Sequence, residues 1–124
     1  MELKNGLSAQ SNTIVNESNT AIALGSGDLQ VFATPAMIAL MENAAMKAVA
    51  EALPEGSTTV GTEMNATHIK ASKLGAEIVA TAVVAAVEGR KITLNVGARD
   101  GESLIGEGVH TRFIVDREKF MSKL

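Results

Sequence analysis

Between Thr34-Pro35 and Leu53-Pro54-Glu55-Gly56 the chain carries no helix breaker, and its polar positions gather on one narrow stripe. With Glu42 set at 0° and steps of about 100° per residue, Asn43, Lys47 and Glu51 fall between about 100° and 180°. Thr34 stands as a capping residue ahead of a proline at the first helical position, so the pattern predicts a helix of about eighteen residues. Glu42 turns away from the wet stripe, and its angular neighbours are Ile38, Ala39, Ala45, Met46 and Val49. A carboxylate in an apolar face needs a partner or a task, because an unpaired buried carboxylate is costly.

The pattern changes after Gly56. Thr59 to Lys70, Ala76 to Glu88, Arg90 to Asp100 and Ser103 to Asp116 are rich in Val, Ile and Thr, and the turns Glu88-Gly89-Arg90 and Asp100-Gly101 separate the last three. Connections this short predict an antiparallel meander. Ahead of the helix, Leu7 to Val15 reads as a first strand, and Asn16-Glu17-Ser18-Asn19 as the cap of a short helical turn through Leu24. Gly25-Ser26-Gly27-Asp28 is a flexible turn, since its Gly-x-Gly lacks the Gly-Lys-Ser/Thr of a phosphate loop. The tail from Arg117 to Leu124 is polar and belongs at the surface. One buried helix and a run of long antiparallel strands give an α+β fold with the sheet wrapped around the helix. No repeat or linker divides residues 1–124, which form a single domain.

Composition narrows the partners. Phe32, Phe113 and Phe120 are the only aromatics, so Ala, Val, Ile, Leu and Met fill the core and oligomerisation would add burial. A net charge of −3 with scattered Lys and Arg argues against nucleic acid or an anionic membrane surface. The absence of Cys excludes disulfides and thiolate zinc sites. Met1 to Gln10 is too polar for a signal peptide and no apolar run is long enough to span a membrane, so the expected location is the cytoplasm. The sequons at Asn16 and Asn65 then read as chance matches.

Side chains alternate along a strand, so the face of Thr59 to Lys70 that carries Val60, Met64 and Ala66 also carries His68. An inward His on a strand that covers the helix can meet an inward Glu42, and a carboxylate that accepts from an imidazole orients a catalytic base. Each residue also has a plain reading: His68 as a hydrogen-bonded core histidine, Glu42 as the partner of a backbone amide or an interface charge, Thr34 as a helix cap. His110, which shares a face with Gly108 and Arg112, reads as structural. Two His in different strands offer no metal-ligand spacing, and no metal site is expected.

Several motifs then stand in one order: Phe32-Ala33-Thr34-Pro35-Ala36-Met37 with Glu42 eight residues beyond Thr34, Thr59-Val60-Gly61-Thr62, His68, Gly75, Glu88-Gly89-Arg90, Ala98-Arg99-Asp100, and Gly106-Glu107-Gly108-Val109-His110. Together they resemble the hotdog-fold thioesterases, and within them the fluoroacetyl-CoA thioesterase-like group, over nearly the whole chain. The resemblance implies a hotdog fold and a homodimer whose two sheets join into one, with pairing of dimers into a tetramer left open. It implies acyl-CoA as substrate, bound at the subunit interface, with no cofactor beyond the coenzyme A of the substrate itself. Thr34, Glu42 and His68 match the family's catalytic trio, and Gly61 and Thr62 fall where the thioester is bound. Lys73 departs from the proline that relatives often carry after the His-bearing strand, and the scarcity of aromatics gives no basis for selectivity toward a fluorinated acyl group.

The implied activity is hydrolysis of a small or medium acyl thioester, with either Thr34 or water as the attacking group. Alternatives are a hydratase or dehydratase on the same fold, whose Asp and His pair is not found, and a non-catalytic protein that binds acyl-CoA or another apolar ligand. One strain is already visible, since eight residues of helix hold Thr34 and Glu42 about 12 Å apart along the axis. Substrate, a bend at Pro35 or a second protomer must bridge that gap.

Overall fold

The computed structural model describes all 124 residues. In chain order the elements are β1 (Ser8–Ile14), α1 (Ala21–Leu24), α2 (Thr34–Ala50), β2 (Ser57–His68), β3 (Glu77–Glu88), β4 (Lys91–Asp100), β5 (Ser103–Asp116) and α3 (Arg117–Ser122). The five strands form one antiparallel sheet in the order β1-β3-β4-β5-β2, so the expected meander is its centre and β2 is a free edge. The tail predicted to be polar closes as the exposed helix α3, capped by Asp116.

The sheet curls around α2, which buries Met37, Met41, Ala44, Ala45, Ala48 and Val49 against inward residues of the strands such as Ile78, Ala80, Ile92, Leu94 and Ile105. Small residues on both sides let helix and sheet approach closely. At Gly106 a Cβ would lie 2.7 Å from the Met37 sulphur and would also strike the Thr67 carbonyl oxygen, so this glycine lets β5 lie flat under the helix.

Two local expectations are corrected. The short helix α1 is capped by Thr20, whose hydroxyl accepts from the Ala23 amide, and not by the Asn16–Asn19 cluster. Asn16 and Asn19 instead close a turn on themselves, with Asn16 Oδ1 accepting from the Ser18 amide and Asn19 Oδ1 from the Asn16 amide. The long helix has Ala33 at its N-cap with no side-chain cap, so Thr34 is its first residue and its hydroxyl is free for another partner.

A bulge corrects the face assignment in β2. Pairing with β5 slips between Gly61 and Glu63, and the extra residue reverses the alternation. Thr59 and Gly61 point inward before the slip, and Met64, Ala66 and His68 after it. Val60 therefore lies on the opposite face from His68, and His68 faces inward because the bulge stands between them.

Candidate active site

Thr34 begins α2 and His68 ends β2, and the two ends meet. Thr34 Oγ1 lies 2.7 Å from His68 Nδ1. A Thr hydroxyl donating to Nδ1 leaves the ring proton on Nε2, an atom buried with no hydrogen-bond partner. The ring sits edge-on to Phe32, with centroids 6.5 Å apart and planes at 79°. Burial lowers the pKa of His68 below its ordinary value, and the Lys70 backbone opposes this. The shift favours the neutral ring, which is the form that can take a proton. The pair opens onto a cleft of about 250 Å³ lined by Ala21, Val31, Ile69 and Lys70 among others.

Glu42 lies elsewhere. It is not enclosed as its apolar neighbours on the helix suggested, because its side chain is 41% exposed and borders the open side of α2 beside exposed Ala39 and Met46. Its nearest partners are His110 and Arg112 on β5, with Oε2 3.9 Å from His110 Nε2 and 3.8 Å from Arg112 Nη1. The predicted contact between Glu42 and His68 is absent within the chain. Gly61 stands opposite Arg112 in the ladder and His68 opposite Gly106, so six ladder positions of β5, roughly 20 Å at about 3.3 Å each, separate the two clusters along the strand.

Gly61 is where the backbone makes room for the carboxylate. A Cβ there would come within 2.6 Å of Glu42 Oε2, 3.1 Å of the His110 ring and 3.2 Å of Arg112 Nη1. The neighbouring Thr62 hydroxyl turns back to the Thr111 carbonyl at 3.3 Å. The structure thus brings Gly61 to Glu42 and directs Thr62 into the strand ladder.

Beneath Gly61 lies a buried polar group that the pattern of residues did not assign to the site. Arg112 donates from Nε to Thr59 Oγ1 at 2.8 Å and from Nη2 to the Thr59 carbonyl at 2.9 Å. Its Nη1 lies 3.1 Å from His110 Nε2, while His110 Nδ1 lies 2.7 Å from the Glu63 carbonyl. The carbonyl can only accept, so His110 carries its proton on Nδ1 and receives Arg112 on Nε2. Burial holds His110 below its ordinary pKa and the Arg112 charge adds to this, against the Glu63 carbonyl and Glu42. Burial also lowers Arg112, against the opposing effect of Glu42. The signal was present in the sequence, because an arginine that shares an inward strand face with a histidine is a charge that must be satisfied indoors. No group of three or more His, Cys, Asp or Glu side chains is placed to hold a metal ion, and no helix is long and apolar enough to cross a membrane.

A curled antiparallel sheet around one long helix, with a hydroxyl and imidazole pair at the helix start, defines the hotdog class of thioester-handling proteins. Comparison with known proteins makes the class specific. The family model for FlK, described as fluoroacetyl-CoA-specific thioesterase, matches residues 15–118. A fluoroacetyl-CoA thioesterase of Streptantibioticus cattleyicolor is 40% identical over 95 residues, which cover 77% of this chain and 68% of that protein. A solved structure of fluoroacetyl-CoA thioesterase FlK superposes with a TM-score of 0.92 at 32% identity, over 99% of this chain and 96% of the other. A Thermus thermophilus member of the thioesterase superfamily gives 0.88 at 26% identity, over 96% and 88%. The chain belongs to the FlK family of hotdog-fold acyl-CoA thioesterases.

Proposed function

We propose that the protein hydrolyses small or medium acyl-CoA thioesters at a site that two protomers of a homodimer share. The observation that carries this reading is the division of the groups into two incomplete halves. Thr34 and His68 are hydrogen-bonded to each other, and Glu42 stands beside Gly61 without a hydrogen bond to either. Strand β2 holds His68 and Gly61 and is the free edge of the sheet. Antiparallel pairing of β2 with its copy would continue the sheet, satisfy that edge and cover the open side of α2. With a two-fold axis near Asn65, and the bulge absorbing one residue, Gly61 of one protomer comes opposite His68 of the other. Both residues face inward, so Glu42 would reach the partner's Thr34 and His68 from the side where the thioester enters.

The chemistry then runs in two steps. Thr34 Oγ1 attacks the thioester carbonyl carbon as its proton passes to His68 Nδ1, the C–S bond breaks, and the proton leaves with the thiolate as free CoA. Water then attacks the acyl ester on Thr34, giving its proton to the partner's Glu42, and the C–O bond breaks to release the free acid and return the proton to Thr34. General base help of this kind is worth roughly 10²- to 10⁴-fold. Amides at the start of α2 and the unobstructed backbone at Gly61 are the proposed donors to the carbonyl oxygen as charge develops on it. The scheme asks for no cofactor, since coenzyme A belongs to the substrate, and its proposed setting is the cytoplasm.

Thiol release from a panel of acyl-CoAs tests the reading. The expected result is turnover by the wild-type protein, a loss of at least a hundredfold in Thr34→Ala, and in Glu42→Gln a burst of one thiol per site with little turnover after it. Full activity in Thr34→Ala would point to direct attack by water, and hydration of an enoyl-CoA without thiol release would overturn the thioesterase reading.

A further inference from the structure

Phe32 is fully buried, at 1% exposure, between two clefts. One is the Thr34 and His68 cleft. The other, about 340 Å³, lies between α2, the end of β1 and the α1 segment and takes no part in the mechanism described above. Its floor is Ala36, Ala39, Leu40 and Asn43, one face of the helix at spacings of three and four, and its roof includes Leu24. No charged residue lines it, and of its polar residues Thr13, Ser18, Asn19 and Asn43, three have side-chain partners of their own: Ser18 Oγ donates to Asn16 Oδ1, Asn19 Nδ2 to the Ile14 carbonyl, and the Asn43 amide oxygen accepts from the Ser11 hydroxyl at 2.6 Å. An unbranched apolar chain suits such a space, and a charged or strongly polar ligand does not.

We propose that Phe32 is the wall that limits acyl length: its ring closes the catalytic cleft beside His68 and bars the acyl chain from the second cleft behind it. This inference rests on the thioesterase reading and names the acyl class that the site admits. The side chain at position 32 selects short acyl groups, because Phe32 lines the same cleft as Thr34 and packs against His68, leaving little depth beyond a carbonyl held at Thr34. With a smaller residue there, the two clefts join and added methylenes enter an apolar channel, where each one favours binding by about fourfold.

The test is the ratio of kcat/KM for hexanoyl-CoA to that for acetyl-CoA, by thiol release, in the wild-type protein, Phe32→Leu and Phe32→Ala. Phe32→Ala removes a core ring and can fail to fold, so Phe32→Leu carries the test in that event, with circular dichroism as the check. The expected ratio rises at least tenfold in a folded variant and falls back when Ala39→Leu is added to refill the channel. A smaller rise, or a gain that survives the refilling, overturns the wall. Wild-type turnover with an unchanged ratio in the variants removes this inference alone, whereas a wild-type protein that releases no thiol from any acyl-CoA removes the thioesterase reading on which it rests.

Discussion

Single atoms decide this site. Gly61 has open neighbours only because it has no Cβ, since the added methyl of Gly61→Ala would press within 2.6 Å of the Glu42 carboxylate and against the buried His110 and Arg112. The methyl would push Glu42 off its position, and the expected outcome is a fall in kcat of at least a hundredfold, measured by thiol release, with KM little changed. Arg112 shows the opposite dependence, because it holds Thr59 and His110 in place from below. In Arg112→Met those partners lose their donor, so urea unfolding should show a loss of about 2–4 kcal/mol at an unchanged m value.

The histidines give the sign of the pH dependence. Both have folded pKa values below the ordinary 6.5, with burial as the first cause. The unfolded chain therefore binds more protons as pH falls, and the stability these residues contribute is complete above about 6.5 and is lost as pH drops through that value toward the lower folded values. For catalysis, kcat/KM should fall on the acid side as His68 is protonated, since it acts as a base only when neutral: burial moves that limb down in pH and the partner's Glu42 would oppose this. An acid limb that stays in place in His68→Ala would contradict His68 as that base. At this scale the sequence was legible for Thr34, Glu42 and His68 as chemical types. It pointed to a contact of Glu42 with His68, whereas within the chain His68 meets Thr34 and Glu42 stands beside His110 and Arg112, because alternation and helix angle do not fix how far along β2 each helix residue lands.

Elements explain where that reading turned. The length of α2 and the β3-β4-β5 meander follow from breakers and short turns, and both appear as expected. The cap was misjudged because Thr34 is a good N-cap residue in isolation, while in the fold its hydroxyl is drawn to His68 and Ala33 takes the cap position. The bulge in β2 leaves no mark in the sequence that strict alternation can detect, and alternation alone puts Val60 on the face of His68. The bulge also aims the Glu63 carbonyl at His110, so His110 is the residue that reads and holds it. The free edge of β2 yields a prediction of its own. Asn65 is exposed on that edge near the proposed two-fold axis, where like charges would face each other. Asn65→Asp should shift the protein to monomers in light scattering and reduce thiol release, with its circular dichroism spectrum retained.

At the scale of the whole molecule, the proposed dimer would have each chain present half of each of two sites. The match to the FlK family and the superposition over nearly the full chain account for the fold and the thioester chemistry. The open side of α2, the edge of β2 and the separation of Glu42 from His68 lie together in one chain, and the proposed two-fold partner would complete all three. The composition is consistent with that proposal, since a core of small aliphatic residues with three phenylalanines leaves an incentive to bury more surface by association. Complementation between inactive variants tests this most directly. In a mixed dimer of Thr34→Ala with Glu42→Gln, one site carries both lesions and the other neither, so unfolding and refolding an equal mixture should restore about a quarter of wild-type thiol release by statistical pairing. If the mixture stays as inactive as its parents while forming mixed dimers, all the groups act within one protomer and the shared site is wrong.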